Sequence, residues 1–206
     1  MQLLKTKLGV LKKPEILFFD TDEHINLLDD AHLYLSKTEK EKSRKFVKTI
    51  DQQRYTIQRV LLRKELSKKL LIKPDEIQFE YSRYKKPFIS NTQWRFNISH
   101  SKQVLMIGLI EDAEIGVDIE YIDYQNDLSA LVSSVFTPKE LMLYKQKNQK
   151  DQALYFYHIW TKKEAYSKAI GKGLNINFNS LDLLNTEENN FSSGTRDSFS
   201  WAFFTH

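Results

Sequence analysis

Two short stretches of this sequence carry residue types that could do chemistry together. In residues 115–120, IGVDIE, the alternation of a strand puts Ile115, Val117 and Ile119 on one face and Gly116, Asp118 and Glu120 on the other. Two carboxylates on one face repel, by about 1 to 4 kcal/mol at a few ångströms near a surface. They either form the solvated side of a half-exposed strand or share a cation. In residues 160–174, WTKKEAYSKAIGKGL, Trp160, Glu164 and Lys168 recur every fourth residue and form one stripe of a helix, with Lys163 beside it. Alone, that stripe is an ordinary Glu-to-Lys surface pair anchored by a core tryptophan. Beside Asp118 and Glu120 it supplies a third carboxylate and an ammonium. Oxygen ligands with no thiolate anywhere point to a hard ion, Mg²⁺ first and Mn²⁺ second.

His100 stands between Ser99 and Ser101 after a short apolar run, either as a satisfied structural histidine or as a phosphate grip at a strand end. Ser99, His100 and Asp118 do not make a hydrolase triad, because no nucleophile elbow surrounds the serine. There is no P-loop and no GxGxxG fingerprint. Any phosphate must therefore be held by side chains, from a pool of Lys42, Arg54, Lys86, His100, Lys163 and Lys168. Three carboxylates, a divalent cation and a ring of basic groups suit transfer involving a pyrophosphate. The metal would neutralise phosphate charge, a carboxylate would take the proton of an attacking hydroxyl, and a lysine would steady the leaving phosphate. The residues leave phosphotransferase and nuclease open.

The elements that must position these groups follow from pattern. Residues 15–19, EILFF, read as a first strand, followed by an acidic patch and a helix over 25–35. Lys40, Lys42, Arg44 and Lys45 crowd the next segment. A long helix over 51–71 carries Leu62, Leu66 and Leu70 in one stripe, with further apolar residues that imply cover on more than one side, and Lys73-Pro74 stops it. Short strands are expected at 77–81 and 96–98. Residues 104–110 and 115–120 read as a hairpin around the acidic turn EDAE. Thr137-Pro138-Lys139-Glu140 opens a helix with a capping box. Ala153, Phe156, Ile159 and Trp160 define another, ending at Gly171 as a left-handed C′ residue. Strands are expected near 181–184 and 199–204, with a loop over 185–197. The order of elements predicts an α+β protein with a faint two-part layout.

Composition bounds the rest. A chain of 206 residues, 41% hydrophobic and 28% charged, can build one sizeable core or two small lobes. The absence of cysteine excludes disulfides, thiolate metal sites and a cysteine nucleophile. No run approaches a membrane span and no leader is recognisable, so a cytoplasmic protein is expected. A net charge of +4 permits a nucleic acid, a membrane surface, a phosphorylated molecule or an acidic protein as partner, and chooses none.

Taken together, FNISHS at 96–101, GVDIE at 116–120 and WTKKEAYSKAIGKGL at 160–174 resemble the three signature blocks of 4′-phosphopantetheinyl transferases, in order and in spacing. The similarity is to the monomeric surfactin-synthetase-activating (Sfp) type. KPF at 86–88 and EKSRKF with DQQR, at 41–46 and 51–54, resemble that family's nucleotide-binding region. The resemblance implies two pseudo-twofold-related α+β lobes, residues 1–110 and 111–206, with the site between them. It implies transfer of the phosphopantetheine arm of coenzyme A to a serine of an acyl, peptidyl or aryl carrier protein, with release of 3′,5′-adenosine bisphosphate. Asp118, Glu120 and Glu164 would then hold Mg²⁺ with the pyrophosphate, and Glu164 would be the base. Lys168 would contact the phosphate and help the departing group. Ser99, His100 and Lys86 would hold coenzyme A phosphates, and Lys42 and Arg54 would lie near the adenosine. The partner would be an acidic carrier, the enzyme a monomer, and neither nucleic acid nor membrane a partner.

Two departures from the family pattern stand out. Lys85 replaces the glycine usual before the KP pair, and the second lobe is expected to close with a further strand beyond WAFFTH, so that either the C-terminus is shortened or this member has a smaller second lobe. Two other readings compete with the enzyme. One is an idle relative that binds coenzyme A or carrier as a scaffold; the other is a basic nucleic-acid-binding module using Lys40 to Lys48.

Overall fold

The computed structural model describes residues 13–183, 191–196 and 198–205. The chain begins with β1 (Glu15–Asp20), α1 (Lys37–Ser43), α2 (Thr49–Leu70), β2 (Glu80–Tyr81), β3 (Pro87–Phe88), β4 (Trp94–Ser101) and β5 (Val104–Glu111). It continues through β6 (Ile115–Tyr121), α3 (Ser129–Val135), α4 (Pro138–Lys145), α5 (Gln149–Ala169), β7 (Phe191–Arg196) and β8 (Phe199–Thr205). The antiparallel sheet β1-β5-β4 is one half and the antiparallel sheet β6-β8-β7 the other, with a small β2-β3 ribbon between β1 and β4 in sequence. Each sheet orders its strands first, last, middle, and each has one long helix, α2 of 22 residues or α5 of 21, ahead of its last two strands. The protein is α+β, as its element order implies.

Burial explains the helices. In α2 every residue from Thr56 to Arg63 is buried, so the helix is covered on several sides. Ile57, Leu61, Leu62 and Leu66 pack on Leu105, Ile107 and Leu109 of β5 and Phe96 of β4. Arg59 and Arg63 survive in that core because both reach Glu39, whose carboxylate lies 2.6 Å from one and 2.7 Å from the other. In α5, Phe156 and Ile159 pack with Val132, Val135 and Phe136. Ser36 and Thr137 close capping boxes with Glu39 and Glu140, as the latter's sequence requires.

Several expectations are corrected. Residues 104–110 and 115–120 are not a hairpin. β5 pairs with β1 and β4, and β6 joins the other sheet through β8. The connecting turn, with Asp112 in the left-handed region at φ 62°, carries β6 across the face of β5. There the side chains of Val117 and Ile115 occupy the space that Gly108 leaves open. β6 also touches β4, whose side chains stand in for a strand: Asn97 Oδ1 accepts from the Val117 amide at 2.9 Å, and Ser101 Oγ from that of Tyr121 at 3.0 Å. The helix expected over 25–35 is two 3₁₀ segments, Thr21–Leu28 and Ala31–Leu33, because the acidic, polar run favours local Asx bonding such as Asp20 Oδ1 with the Asp22 amide. The strand expected at 77–81 is only Glu80–Tyr81, and 181–183 is irregular. Of the expected loop over 185–197, residues 185–190 and 197 lie outside the described residues, whereas Phe191–Arg196 is a strand paired with β8. β8 takes in its sheet the place β5 takes in the other. Among the described residues no helix is long and apolar enough to cross a membrane.

Candidate active site

A cleft of about 890 Å³ opens where the two sheets meet, walled by α2 and the β2-β3 ribbon on one side and by β6 and α5 on the other. Its position follows from the close approach of α5 to β6. A Cβ on Gly116 would run into the Ala165 carbonyl and the Ala169 amide, so only glycine lets the helix lie against the strand. That contact sets the outward residues of β6, Asp118 and Glu120, against the Trp160, Glu164 and Lys168 stripe of α5, and all five line the cleft.

The geometry is that of a crowded acidic site held by one ammonium. Lys168 Nζ donates to Asp118 Oδ1 at 2.6 Å and to Ser99 Oγ at 2.9 Å, and Ser99 Oγ donates to the same carboxylate oxygen at 2.8 Å. Asp118 is 2% exposed, yet its Oδ2 has no partner, and neither has the buried Oε1 of Glu164. Burial, and then the Asp118 charge, push the Glu164 carboxyl up to about 7. The same two causes raise Glu120, against hydrogen bonds from Ser101 and Trp160 that favour its ionised form. His100 opens onto the cleft; the surrounding protein, and then the Lys168 and Arg54 charges, hold its pKa below 6.5, so it is neutral at pH 7.

The donor chemistry fits a hard divalent cation. Three carboxylates, two of them with buried unpartnered oxygens, favour a positive charge among them. The described residues do not form a ready-made cluster of three His, Cys, Asp or Glu ligands, and Lys168 takes one oxygen of Asp118.

Among the residues singled out in sequence, Lys42, Arg54, Ser99, His100, Asp118, Glu120, Glu164 and Lys168 are brought to the cleft. Lys42 Nζ lies 5.3 Å from the centre of the Tyr55 ring, and Arg54 pairs with Asp22 at 3.1 Å. Lys163 is not a phosphate ligand. On α5 it lies about a quarter turn round the helix from Glu164, is fully buried, and donates to Glu140 at 2.6 Å and to the carbonyls of Val135 and Phe178. A buried ammonium with three such partners is structural. Lys86 also leaves the cleft: its ammonium bonds Glu114 and the Ala169 carbonyl at the end of α5, and its neighbours Lys85 and Pro87 line the cleft instead. Trp160 is half-buried rather than core, stacked on Phe156 and meeting Phe178 edge-on while it reaches Glu120.

Sequence reasoning missed Phe46, Tyr55, Gln58, Arg59 and Tyr81, which form the far end of the cleft. The polar residues at 97, 99 and 101, every second one along β4, were a signal for a strand whose side chains bond a neighbour rather than water.

Both halves of the chain match known proteins. Residues 114–206 match the profile of the 4′-phosphopantetheinyl transferase superfamily, and residues 25–109 match that of the 4′-phosphopantetheinyl transferase N-terminal region. The chain is 34% identical to the 4′-phosphopantetheinyl transferase gsp of Aneurinibacillus migulanus, over 81% of this chain and 70% of that protein. It is 31% identical to the transferase Sfp of Bacillus subtilis, over 81% and 74%, and 30% identical to HetI of Nostoc, over 74% and 66%.

Proposed function

Since the chain belongs to the 4′-phosphopantetheinyl transferase superfamily, we propose that it is an Sfp-type enzyme that moves the phosphopantetheine arm of coenzyme A onto a serine of an apo carrier protein. The observation that carries this reading is the convergence of Asp118, Glu120, Glu164 and Lys168 in one cleft wide enough for a nucleotide, with two buried carboxylate oxygens unpartnered. The lobes divide as residues 1–110 and 111–206, which the two sheets support.

In this reading the carrier serine hydroxyl attacks the phosphorus that bears the pantetheine arm. The bond from that phosphorus to the bridging pyrophosphate oxygen breaks, and 3′,5′-adenosine bisphosphate leaves. Glu164, set in the cleft beside Asp118 and Glu120, is the base that takes the serine proton. Asp118, Glu120 and Glu164 would hold Mg²⁺, which when bound supplies charge neutralisation and orientation of the pyrophosphate. Lys168, fixed by Asp118 and Ser99, presents its ammonium to the phosphate and offsets charge on the leaving group. Neutral His100 can donate one ring N–H to a phosphate oxygen without repelling Lys168. Positive groups at the cleft suit both coenzyme A and an acidic carrier. We place the enzyme in the cytoplasm as a monomer.

The test is the intact mass of a purified apo carrier after incubation with this protein, coenzyme A and Mg²⁺, with and without chelator. A gain of one phosphopantetheine that chelator prevents is expected. No gain on several unrelated carriers, with coenzyme A still bound, would overturn the transferase reading in favour of the scaffold.

A further inference from the structure

Two turns at the cleft hold lysines in a backbone conformation that glycine adopts freely. Lys85, in the turn between β2 and β3, has φ 63°, and Lys102, in the turn between β4 and β5, has φ 51°. In the left-handed region a Cβ crowds the backbone, so a lysine there is disfavoured relative to glycine. The other non-glycine residues with positive φ among those described have local reasons. Leu71 caps α2, and Asn91 and Asp112 belong to the types that tolerate this region. Lys102 opens the two-residue turn of the β4–β5 hairpin, which calls for a positive φ, yet neither lysine is a residue type that tolerates it, and Lys85 stands where the resembling family has glycine.

Both lysines line the cleft, reached from different parts of the chain. Lys102 follows Ser101, which bonds Glu120, and so marks the carboxylate end; its ammonium rests 3.0 Å from the centre of the Tyr121 ring. Lys85 adjoins the far end, with Tyr81 and Pro87. Three other cations of the cleft are committed, Lys168 to Asp118, Arg54 to Asp22 and Arg59 to Glu39, whereas neither Lys85 nor Lys102 has an ion-pair partner among the described residues. Backbone strain kept at a cleft by a cationic side chain with no ion-pair partner points to a group held ready for a ligand.

We propose that Lys85 and Lys102 are binding residues for a polyphosphate-bearing substrate, adding two ammonium contacts beyond those of the signature blocks. The inference rests on the function proposed above, with coenzyme A as that substrate. Binding of coenzyme A to the full chain, by titration calorimetry at low salt, is compared for wild type, Lys85→Gly, Lys102→Gly and the matching arginine variants, with melting temperatures alongside. Each glycine variant is expected to melt no lower than wild type yet bind coenzyme A about fivefold to tenfold more weakly, as loss of one exposed charged contact implies. The difference should shrink as salt screens the contact. The arginine variants should bind within about twofold of wild type, because they keep charge and backbone strain. Glycine variants with unchanged affinity, or arginine variants as weak as the glycine ones, overturn the inference. An active wild type with unaffected glycine variants overturns this inference alone. A wild type that neither binds coenzyme A nor modifies a carrier overturns the function reading and this inference with it.

Discussion

Glu164 is held in its site against its own preference for ionisation, and its replacement should show that directly. With the carboxyl raised from 4.5 to about 7, the folded state binds this proton more tightly than the unfolded chain does. The stability that proton contributes is present below pH 4.5 and is lost as pH rises through about 7. A rise of that size corresponds to about 3 kcal/mol once both states are ionised, at about 1.36 kcal/mol per pH unit. Glu164→Gln removes the titration and keeps the shape. Relative to wild type, the variant should therefore gain nothing at pH 4 to 4.5 and about 3 kcal/mol by pH 8. At an unfolding entropy of about 2.1 cal/mol/K per residue over 206 residues, that is a melting temperature about 7 °C higher at pH 8. The assay is thermal denaturation in chelator across pH 4 to 9. The readout is the change in the difference with pH, because a buried amide can carry a constant cost of its own. Saturating Mg²⁺ should flatten the wild-type curve at alkaline pH and leave the variant's unchanged, and carrier modification by the variant should be lost. A difference between the two proteins that is constant across pH would refute the reasoning, since it would mean the carboxyl is solvated.

Lys163→Met should leave Glu140 buried and unpaired and cost about 3 to 5 kcal/mol, measured by denaturant unfolding, and adding Glu140→Gln should recover part of the loss. Coenzyme A affinity per folded molecule should be unchanged, whereas a phosphate ligand would lose it. Gly116→Ala should destabilise by about 1 to 3 kcal/mol or more, because backbone atoms of α5 block the new methyl, and should also depress transfer by moving Glu164 away from Asp118. His158 titrates at about 4 rather than 6.5, through burial and then the Lys162 charge. Its contribution is present above pH 6.5 and lost as pH falls through 4, so His158→Gln should flatten the acid limb of the stability curve by up to about 3 kcal/mol.

How much of this was legible in the sequence depends on the range of the interaction. Asp118 and Glu120 share a face by strand period, and Trp160, Glu164 and Lys168 share one by helix period. Both placements are local consequences of backbone geometry, visible in the letters. The capping box at Thr137 and the glycine stop at Gly171 were readable for the same reason. The partner of β6 was not. Adjacent strands of alternating pattern suggest a hairpin, but the apolar faces of β5 and β6 gain more by packing against each other across two sheets than by pairing edge to edge. Likewise Lys163 and Lys168 are both lysines on one helix, and only rotation about its axis separates a structural ammonium under Glu140 from one facing Asp118.

The sequence by itself determined the long helices, the strands of the site, the signature blocks and the family, because those rest on periodicity, caps and residue types at fixed spacing. Tertiary structure alone decided which charges meet. Asp118 and Lys168 are far apart in the chain and close in space because Gly116 leaves no side chain between β6 and α5. Lys85 and Lys102 share one cleft only because two turns, each strained locally, are brought together by the packing of the whole.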